Sequence, residues 1–205
     1  MGGGVKKVAI LGSTGSIGQQ ALNVIHALSS RFQVVGLAGG KNLRLLKKQI
    51  DEFQPEIFYS QITPDFAYGG EFLSMEQMAS HPEVDLVVVA TSGKVGLSPT
   101  LAALRAGKTI ALASKEVLVM AGEIVTTEAK RHHAQVLPVD SEHSAIWQCL
   151  QGEAGKPRQL FLTASGGPFY HYSQSQLSKV TVEQALRHPT WKMGKKITID
   201  SATLM

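Results

Sequence analysis

The chain has 205 residues, 43% hydrophobic and 18% charged, with 20 glycines, 8 prolines and a net charge of +4. This composition excludes a disordered tail, a collagen and a coiled coil, and the length fits one domain with part of a second. The mild charge lacks the dense basic stripe of a nucleic-acid binder and suits small anionic ligands.

Residues 5–11 form a β-rich run ending at Gly12. Over residues 17–28, Ile17, Ala21, Val24, Ile25 and Leu28 recur at helical spacing. A second strand is predicted over 33–38. Residues 43–53 predict a helix with Leu43, Leu46, Ile50 and Phe53 on one face. A short strand is predicted over 57–59. Residues 84–91 are nearly all apolar and β-branched, the pattern of a strand buried on both faces. A helix over 97–105, a strand over 109–113, a helix over 115–133 and a strand over 135–139 complete the alternation. The order predicts an α/β fold, a Rossmann-like doubly wound parallel sheet.

The pattern changes at Asp140. A helix is predicted over 142–151, with Ser141 as its N-cap and Cys149 on a core face with Ile146 and Leu150. A strand over 160–163, a Gly-Gly-Pro loop over 166–168, a polar helical stretch, a loop around Trp191 and a strand over 195–199 follow. A domain boundary is expected near Asp140, between residues 1–139 and the start of an α+β domain over 140–205. Residues 200–205 predict a strand exit and a helix start without stop signals, as in a piece of a longer chain. Cys149 is the single cysteine, so a reducing, cytoplasmic compartment is expected. No stretch approaches the ~20 apolar residues that span a membrane.

Gly12-Ser13-Thr14-Gly15-Ser16-Ile17-Gly18 joins the first strand to the first helix. Glycines admit a phosphate to the backbone, and helix N-terminal N–H groups favour negative charge. The spacing differs from G-x-G-x-x-G, but the strand–turn–helix context is met and predicts a dinucleotide site. An NAD site carries an acid at the end of the second strand. Here that place reads Gly39-Gly40-Lys41-Asn42-Leu43-Arg44. Lys41 and Arg44 suit a ribose 2′-phosphate, which predicts NADP; the alternative is a solvated first helical turn, which the helix dipole disfavours for cations.

Asp140-Ser141-Glu142 places two carboxylates at i and i+2. In an extended segment they point the same way, as Mg²⁺ oxygen ligands do. The alternative is a pair of acids complementing a helix dipole. His143 has no spaced His or Cys partner for zinc. Ser165-Gly166-Gly167-Pro168-Phe169 is either a phosphate cradle or a tight turn. His188-Pro189-Thr190-Trp191-Lys192-Met193-Gly194 has the aromatic and glycine content of a lid.

Five motifs resemble the 1-deoxy-D-xylulose 5-phosphate reductoisomerase family: the glycine loop, Ala113-Ser114-Lys115-Glu116, Leu137-Pro138-Val139-Asp140-Ser141-Glu142-His143, Leu162-Thr163-Ala164 with the Ser165–Phe169 loop, and His188–Lys195. The resemblance implies NADPH, a divalent metal (Mg²⁺, Mn²⁺ or Co²⁺), a phosphorylated ketose substrate and a homodimer of the full-length protein. It implies metal ligation by Asp140 and Glu142, and catalytic roles for Lys115 and Glu142. Substrate contacts are implied for Ser141, Ser165, His188, Trp191 and Ser201, with Trp191 and Met193 on the lid. Cofactor contacts are implied for Thr14, Gly15, Ser16, Ile17, Gly40, Lys41, Asn42, Ser114, Glu116 and Gly194. Ser114 stands where the family commonly has Asn. The family continues beyond the position of Met205 with a further carboxylate ligand and phosphate contacts, so these 205 residues are expected to bind NADPH without turnover. The rivals are another NADP-dependent dehydrogenase on this fold and a stand-alone cofactor-binding module.

Overall fold

The computed structural model describes residues 4–202. Strands β1 (Lys6–Leu11), β2 (Phe32–Gly39), β3 (Ile57–Ser60), β4 (Glu71–Phe72), β5 (Leu86–Val89), β6 (Thr109–Leu112) and β7 (Val136–Pro138) build a seven-stranded sheet. Its order is β4-β3-β2-β1-β5-β6-β7, and every pairing is parallel. Parallel neighbours need crossover connections. Helices α1 (Ser16–Ala27), α2 (Leu43–Phe53), α3 (Met75–Ser80), α4 (Leu97–Arg105) and α5 (Lys115–Arg131) lie between successive strands.

Alternation along β1 splits the core. Val8 and Ile10 pack with Leu22 and Ile25 of α1 and with Leu46 and Ile50 of α2. Ala9 and Leu11 face the other way, among Met78 of α3, Leu104 of α4 and Val117 and Val125 of α5. The sheet is therefore covered on both faces, as the nearly unbroken apolar run of β5 requires. Each fully buried aliphatic side chain in this core contributes about 1.5–3 kcal/mol of transfer free energy.

Helix α2 starts at Asn42, whose Oδ1 accepts the Leu45 N–H at 3.1 Å. Helix α3 starts at a reciprocal Ser74–Gln77 capping box. Helix α5 is kinked at Ala121, φ −149°, next to Gly122. The bounds predicted for α2 and α4 hold to the residue. The short elements β4 and α3 were not predicted.

The chain divides into two compact units, Met1–Trp147 and Gln148–Met205. Helix α6 (Ser141–Cys149) straddles the division, just after the boundary expected at Asp140. The second unit holds α7 (Gln174–Leu177), α8 (Val182–Ala185) and α9 (Lys195–Asp200), with no strand among its described residues.

Residues 160–163, expected as a strand, are irregular, with Leu160, Phe161 and Leu162 exposed. A strand needs a partner, and the described residues of this unit offer none. Residues 195–199, expected as a strand, belong to α9, which satisfies its own backbone. Gly194 caps α9, Thr198 Oγ1 donates to the Gly194 carbonyl at 3.0 Å, and Lys196 pairs with Asp200 at 2.6 Å. Asp200 therefore ends a helix rather than a strand, and the expected helix start over 203–205 lies outside the described residues. Cys149 is exposed, not core. The Asp140 carbonyl accepts the Ser144 N–H at 2.9 Å, so Asp140 takes the N-cap position and Ser141 is the first residue of α6.

Candidate functional site

The sheet order reverses between β1 and β5, where an open α/β sheet places its ligand crevice. A cleft of about 340 Å³ lies at the C-terminal ends of these strands. Gly12, Thr14 and Gly15 line one side, Gly39 and Gly40 a second, and Ala90, Thr91 and Ser92 a third.

Local packing explains part of the glycine loop. Gly12 has φ +91°, and a β-carbon there would come within 2.5 Å of the Ala90 carbonyl oxygen. Gly18 is excluded from bearing a side chain by the Gly12 carbonyl and Ser13 backbone. Gly15 caps α1, which carries no acid in its own first turn to compete for the first N–H groups. Gly40 is different. A β-carbon there meets no atom within 4 Å, so packing does not demand glycine, and the backbone lies bare beside the cleft.

A dinucleotide fits these observations. The Thr91 hydroxyl oxygen is buried on the cleft wall without a partner among the described residues. The Asn42 Oδ1 is engaged in capping, which leaves its NH₂ group free to donate, and Lys41 beside it is exposed. Of the predicted cofactor residues, Thr14, Gly15 and Gly40 line the cleft. Ile17 and Ser141 line a different, largely apolar groove with Val8 and Val24. Gly194 lies in the second unit, as the cap of α9. Ser114 is 2% exposed and donates to the Thr91 carbonyl at 2.7 Å, tying the end of β6 to the cleft wall, with Glu116 Oε2 3.3 Å from its hydroxyl.

Sequence reading missed Tyr59, Gln61 and Met75, which line the same cleft, and the Ala90–Ser92 wall. The signal available was topological, since in a parallel sheet the residues just after each strand face the ligand.

Lys115, Asp140 and His143 line a second cavity of the first unit, about 360 Å³, walled by Leu112, Leu118 and Pro138. Asp140 sits 3.8 Å from His143 Nδ1. Glu142 lies in the first turn of α6, so the expected extended geometry is not present and residues i and i+2 do not share a helix side. The two carboxylates suit a hard cation in kind, because Mg²⁺ is held by one or two carboxylates plus substrate oxygens. Among the described residues no group of three or more His, Cys, Asp or Glu side chains is placed to hold a metal.

In the second unit four predicted substrate residues come together. His188 Nδ1 accepts the N–H groups of Thr190 and Trp191 at 3.1 and 3.0 Å. In the neutral ring the proton is then on Nε2, 3.1 Å from Ser165 Oγ, to which it donates. The His188 ring stacks on Trp191 with centroids 4.8 Å apart. The Ser165 N–H donates to the Ser201 carbonyl at 2.8 Å. Gly166 and Gly167 both have positive φ, +78° and +61°, so this turn needs its glycines.

Sheet order, glycine loop and cleft define a dinucleotide-binding α/β domain followed by a second unit with a polar side-chain cluster. The family model for 1-deoxy-D-xylulose 5-phosphate reductoisomerase matches residues 8–68 and 59–122, and that for the C-terminal domain of the same enzyme matches residues 136–205. The chain belongs to the 1-deoxy-D-xylulose 5-phosphate reductoisomerase family. The reductoisomerase of Pelotomaculum thermopropionicum is 51% identical over 98% of this chain and 56% of its own length. That of a Geobacillus species is 49% identical with the same coverage. A crystal structure of DOX-P reductoisomerase with NADPH, fosmidomycin and magnesium superposes with TM-score 0.88 at 39% identity, over 97% of this chain and 54% of that one. The Zymomonas mobilis enzyme with NADPH gives TM-score 0.78 at 34% identity, with the same coverage. The chain spans about half the length of the curated relatives it matches. No helix of the described residues is long and apolar enough to cross a membrane.

Proposed function

We propose that the chain carries the NADPH-binding domain, residues 1–139, and the first part of the metal- and substrate-binding domain, residues 140–205, of a cytoplasmic, homodimeric 1-deoxy-D-xylulose 5-phosphate reductoisomerase. The reaction converts the linear ketose phosphate to the branched 2-C-methyl-D-erythritol 4-phosphate of isoprenoid synthesis. The observation that carries the reading is the cleft at the β1/β5 switch, with the glycine loop on one wall and bare Gly40 on another.

Thr14, Gly15, Ser16 and Ile17 offer backbone and hydroxyl donors to the cofactor pyrophosphate. Gly40, Lys41 and Asn42 take the ribose and its 2′-phosphate. Ser114 and Glu116 support the wall that Thr91 forms, and Gly194 is the further residue assigned to the cofactor. Bound NADPH supplies the hydride, and the protein supplies position and field. Asp140 and Glu142 are the carboxylates that would hold the divalent metal, whose chemistry is to polarise the hydroxyketone oxygens. Lys115 and Ser141 lie beside this acidic turn and serve the substrate. His188, fixed as the Nε2–H tautomer, donates to Ser165 and so leaves the Ser165 hydroxyl proton to donate to the substrate phosphate, with Ser201 beside them and Trp191 over the imidazole.

Titration of the 205-residue polypeptide with NADPH and NADH, read by nicotinamide fluorescence, tests the cofactor half. NADPH is expected to bind more tightly, and absence of NADPH binding would sink the reading. NADPH oxidation with the ketose phosphate and Mg²⁺ or Mn²⁺ tests the rest. The polypeptide is expected to turn over far more slowly than a full-length relative, since two carboxylates leave most metal positions to solvent.

A further inference from the structure

We infer that Gln49 is a positioning residue for the cofactor, holding the glycine loop in the shape that presents its backbone to a pyrophosphate. The inference rests on the dinucleotide reading above and extends it to a residue outside the loop and outside the cleft lining.

Gln49 lies on the core face of α2, between Leu46 and Ile50, and is 5% exposed. An apolar side chain is the ordinary occupant of such a place. Instead, its Nε2 donates to the Ser13 carbonyl at 2.9 Å, across 36 residues of sequence. Because Ser13 offers an oxygen there, the amide must face it with its nitrogen. The Oε1 of Gln49 is buried with no partner among the described residues. A buried amide with its acceptor unused is a poor way to add stability. What this arrangement secures is the direction of one peptide group.

The loop is fastened on two sides. The N–H groups of Gly12 and Ser13 both donate to the Ala38 carbonyl of β2 at 2.9 Å, and the Ser13 carbonyl is drawn to α2 by Gln49. In a trans peptide the C=O and the following N–H point in opposite directions. Drawing the Ser13 oxygen to α2 therefore turns the Thr14 N–H away from α2. Thr14 lines the cleft, and its N–H has no acceptor among the described residues. A free backbone donor beside a helix N-terminus is what a phosphate oxygen requires. Helix α2 also begins at Asn42, next to Lys41 and Gly40. One rigid helix thus carries the ribose-phosphate end of the site and, through Gln49, the strap on the pyrophosphate end.

The test compares two ligands on the 205-residue chain carrying Gln49→Met, which keeps length and apolar packing but removes the donor. NADPH contains the pyrophosphate; 2′-AMP carries the ribose phosphate without it. NADPH is expected to bind roughly tenfold more weakly, the equivalent of one lost hydrogen bond, while 2′-AMP binding, followed by NMR, stays unchanged. Unaltered NADPH affinity would overturn the inference. Equal losses for both ligands would also overturn it, since α2 itself would then be disturbed. Gln49→Glu, which keeps the volume and sets an oxygen against the Ser13 carbonyl, should repeat the NADPH-selective loss if the Met variant fails to fold. In the unaltered chain the Gln49 side-chain amide protons should resist exchange, and rapid exchange would overturn the strap. The unaltered chain is titrated with NADPH first. Failure at that step would refute the cofactor reading and take this inference with it, and is thereby told apart from a failure of Gln49 alone.

Discussion

The two units reach order by different routes. In the first, β1 is buried along most of its length, and both sheet faces are sealed by aliphatic side chains from five helices. In the second, Gly167 and Thr198 are the buried positions among the described residues, and Leu160, Phe161, Leu162 and Tyr170 are exposed. Its organised part is the polar cluster of Ser165, His188, Trp191 and Ser201. The first unit is held by area removed from water. The second is held by individual hydrogen bonds, each worth about 1 kcal/mol net. The cofactor cleft rests on the first kind of support, the proposed substrate contacts on the second.

The largest expected effect probes that contrast directly. Ile10→Ala, in the fully buried centre of β1, should lower unfolding free energy by about 2–5 kcal/mol. Leu162→Ala, at a site 56% exposed, should stay within about 0.5 kcal/mol. Urea unfolding checks both, and comparable losses would erase the distinction.

Gly12→Ala comes next. It forces a residue with a side chain to φ +91° and into the Ala90 carbonyl. A strained residue costs on the order of 1–3 kcal/mol, and the loop shift should weaken NADPH at least tenfold by fluorescence titration. Ser165→Ala in the second unit should leave NADPH affinity of the same polypeptide unchanged. A shared loss would mean that the cofactor site depends on the second unit.

Lys41→Ala sharpens the cofactor claim within the first unit. Lys41 is exposed, so no fold penalty is expected. A charge-assisted contact of about 1.5–3 kcal/mol favours NADPH over NADH roughly tenfold or more. The variant should bring the two affinities together, and an unchanged ratio would remove Lys41 from the 2′-phosphate.

The same contrast governs what could be read from sequence. In the first unit helical periodicity and buried β-branched runs carry the information, so α2 and α4 were legible to the residue and the doubly wound order followed from alternation. Helix α3 is one and a half turns long, and β4 has two residues, too short for a period to show. In the second unit composition misled. Lys195-Lys196-Ile197-Thr198-Ile199 alternates like a strand, but with no strand among the described residues of this unit to pair with, a capped helix satisfies its backbone better. Ser165, His188, Trp191 and Ser201 were singled out by motif, and the structure brings them together. The Asp140–Glu142 pair was singled out on an extended geometry that the helix replaces. Gln49 was not legible, because an amide on an apolar face announces its role only when its partner 36 residues away is known.

The smallest expected effect is electrostatic and appears in both units. Glu128 on α5 accepts a hydrogen bond from Arg105 at 2.6 Å, which holds its carboxyl below the ordinary glutamate range. In the second unit Glu183 is also held low, first by a backbone N–H, its own, and then by the Thr181 hydroxyl. A carboxylate whose pKa is depressed by folding adds stability that is complete above the unfolded value, about 4.3, and is lost as pH falls through the folded value. Both residues should therefore steepen the loss of melting temperature below about pH 4.3. Their causes differ, and salt separates them. Glu128→Gln should flatten the acid limb more in dilute buffer than in ~1 M NaCl, where salt weakens the attraction of Arg105, His132 and Arg131 for the carboxylate but leaves the 2.6 Å hydrogen bond from Arg105 in place. Glu183→Gln should flatten its part of the limb by the same small amount at either salt, because a hydrogen bond from neutral donors carries little of that screening. Melting curves from pH 6 to pH 3 at low and high salt would show it. A Glu183 effect that vanished with salt would mean that ion pairing, rather than local hydrogen bonding, also organises the second unit.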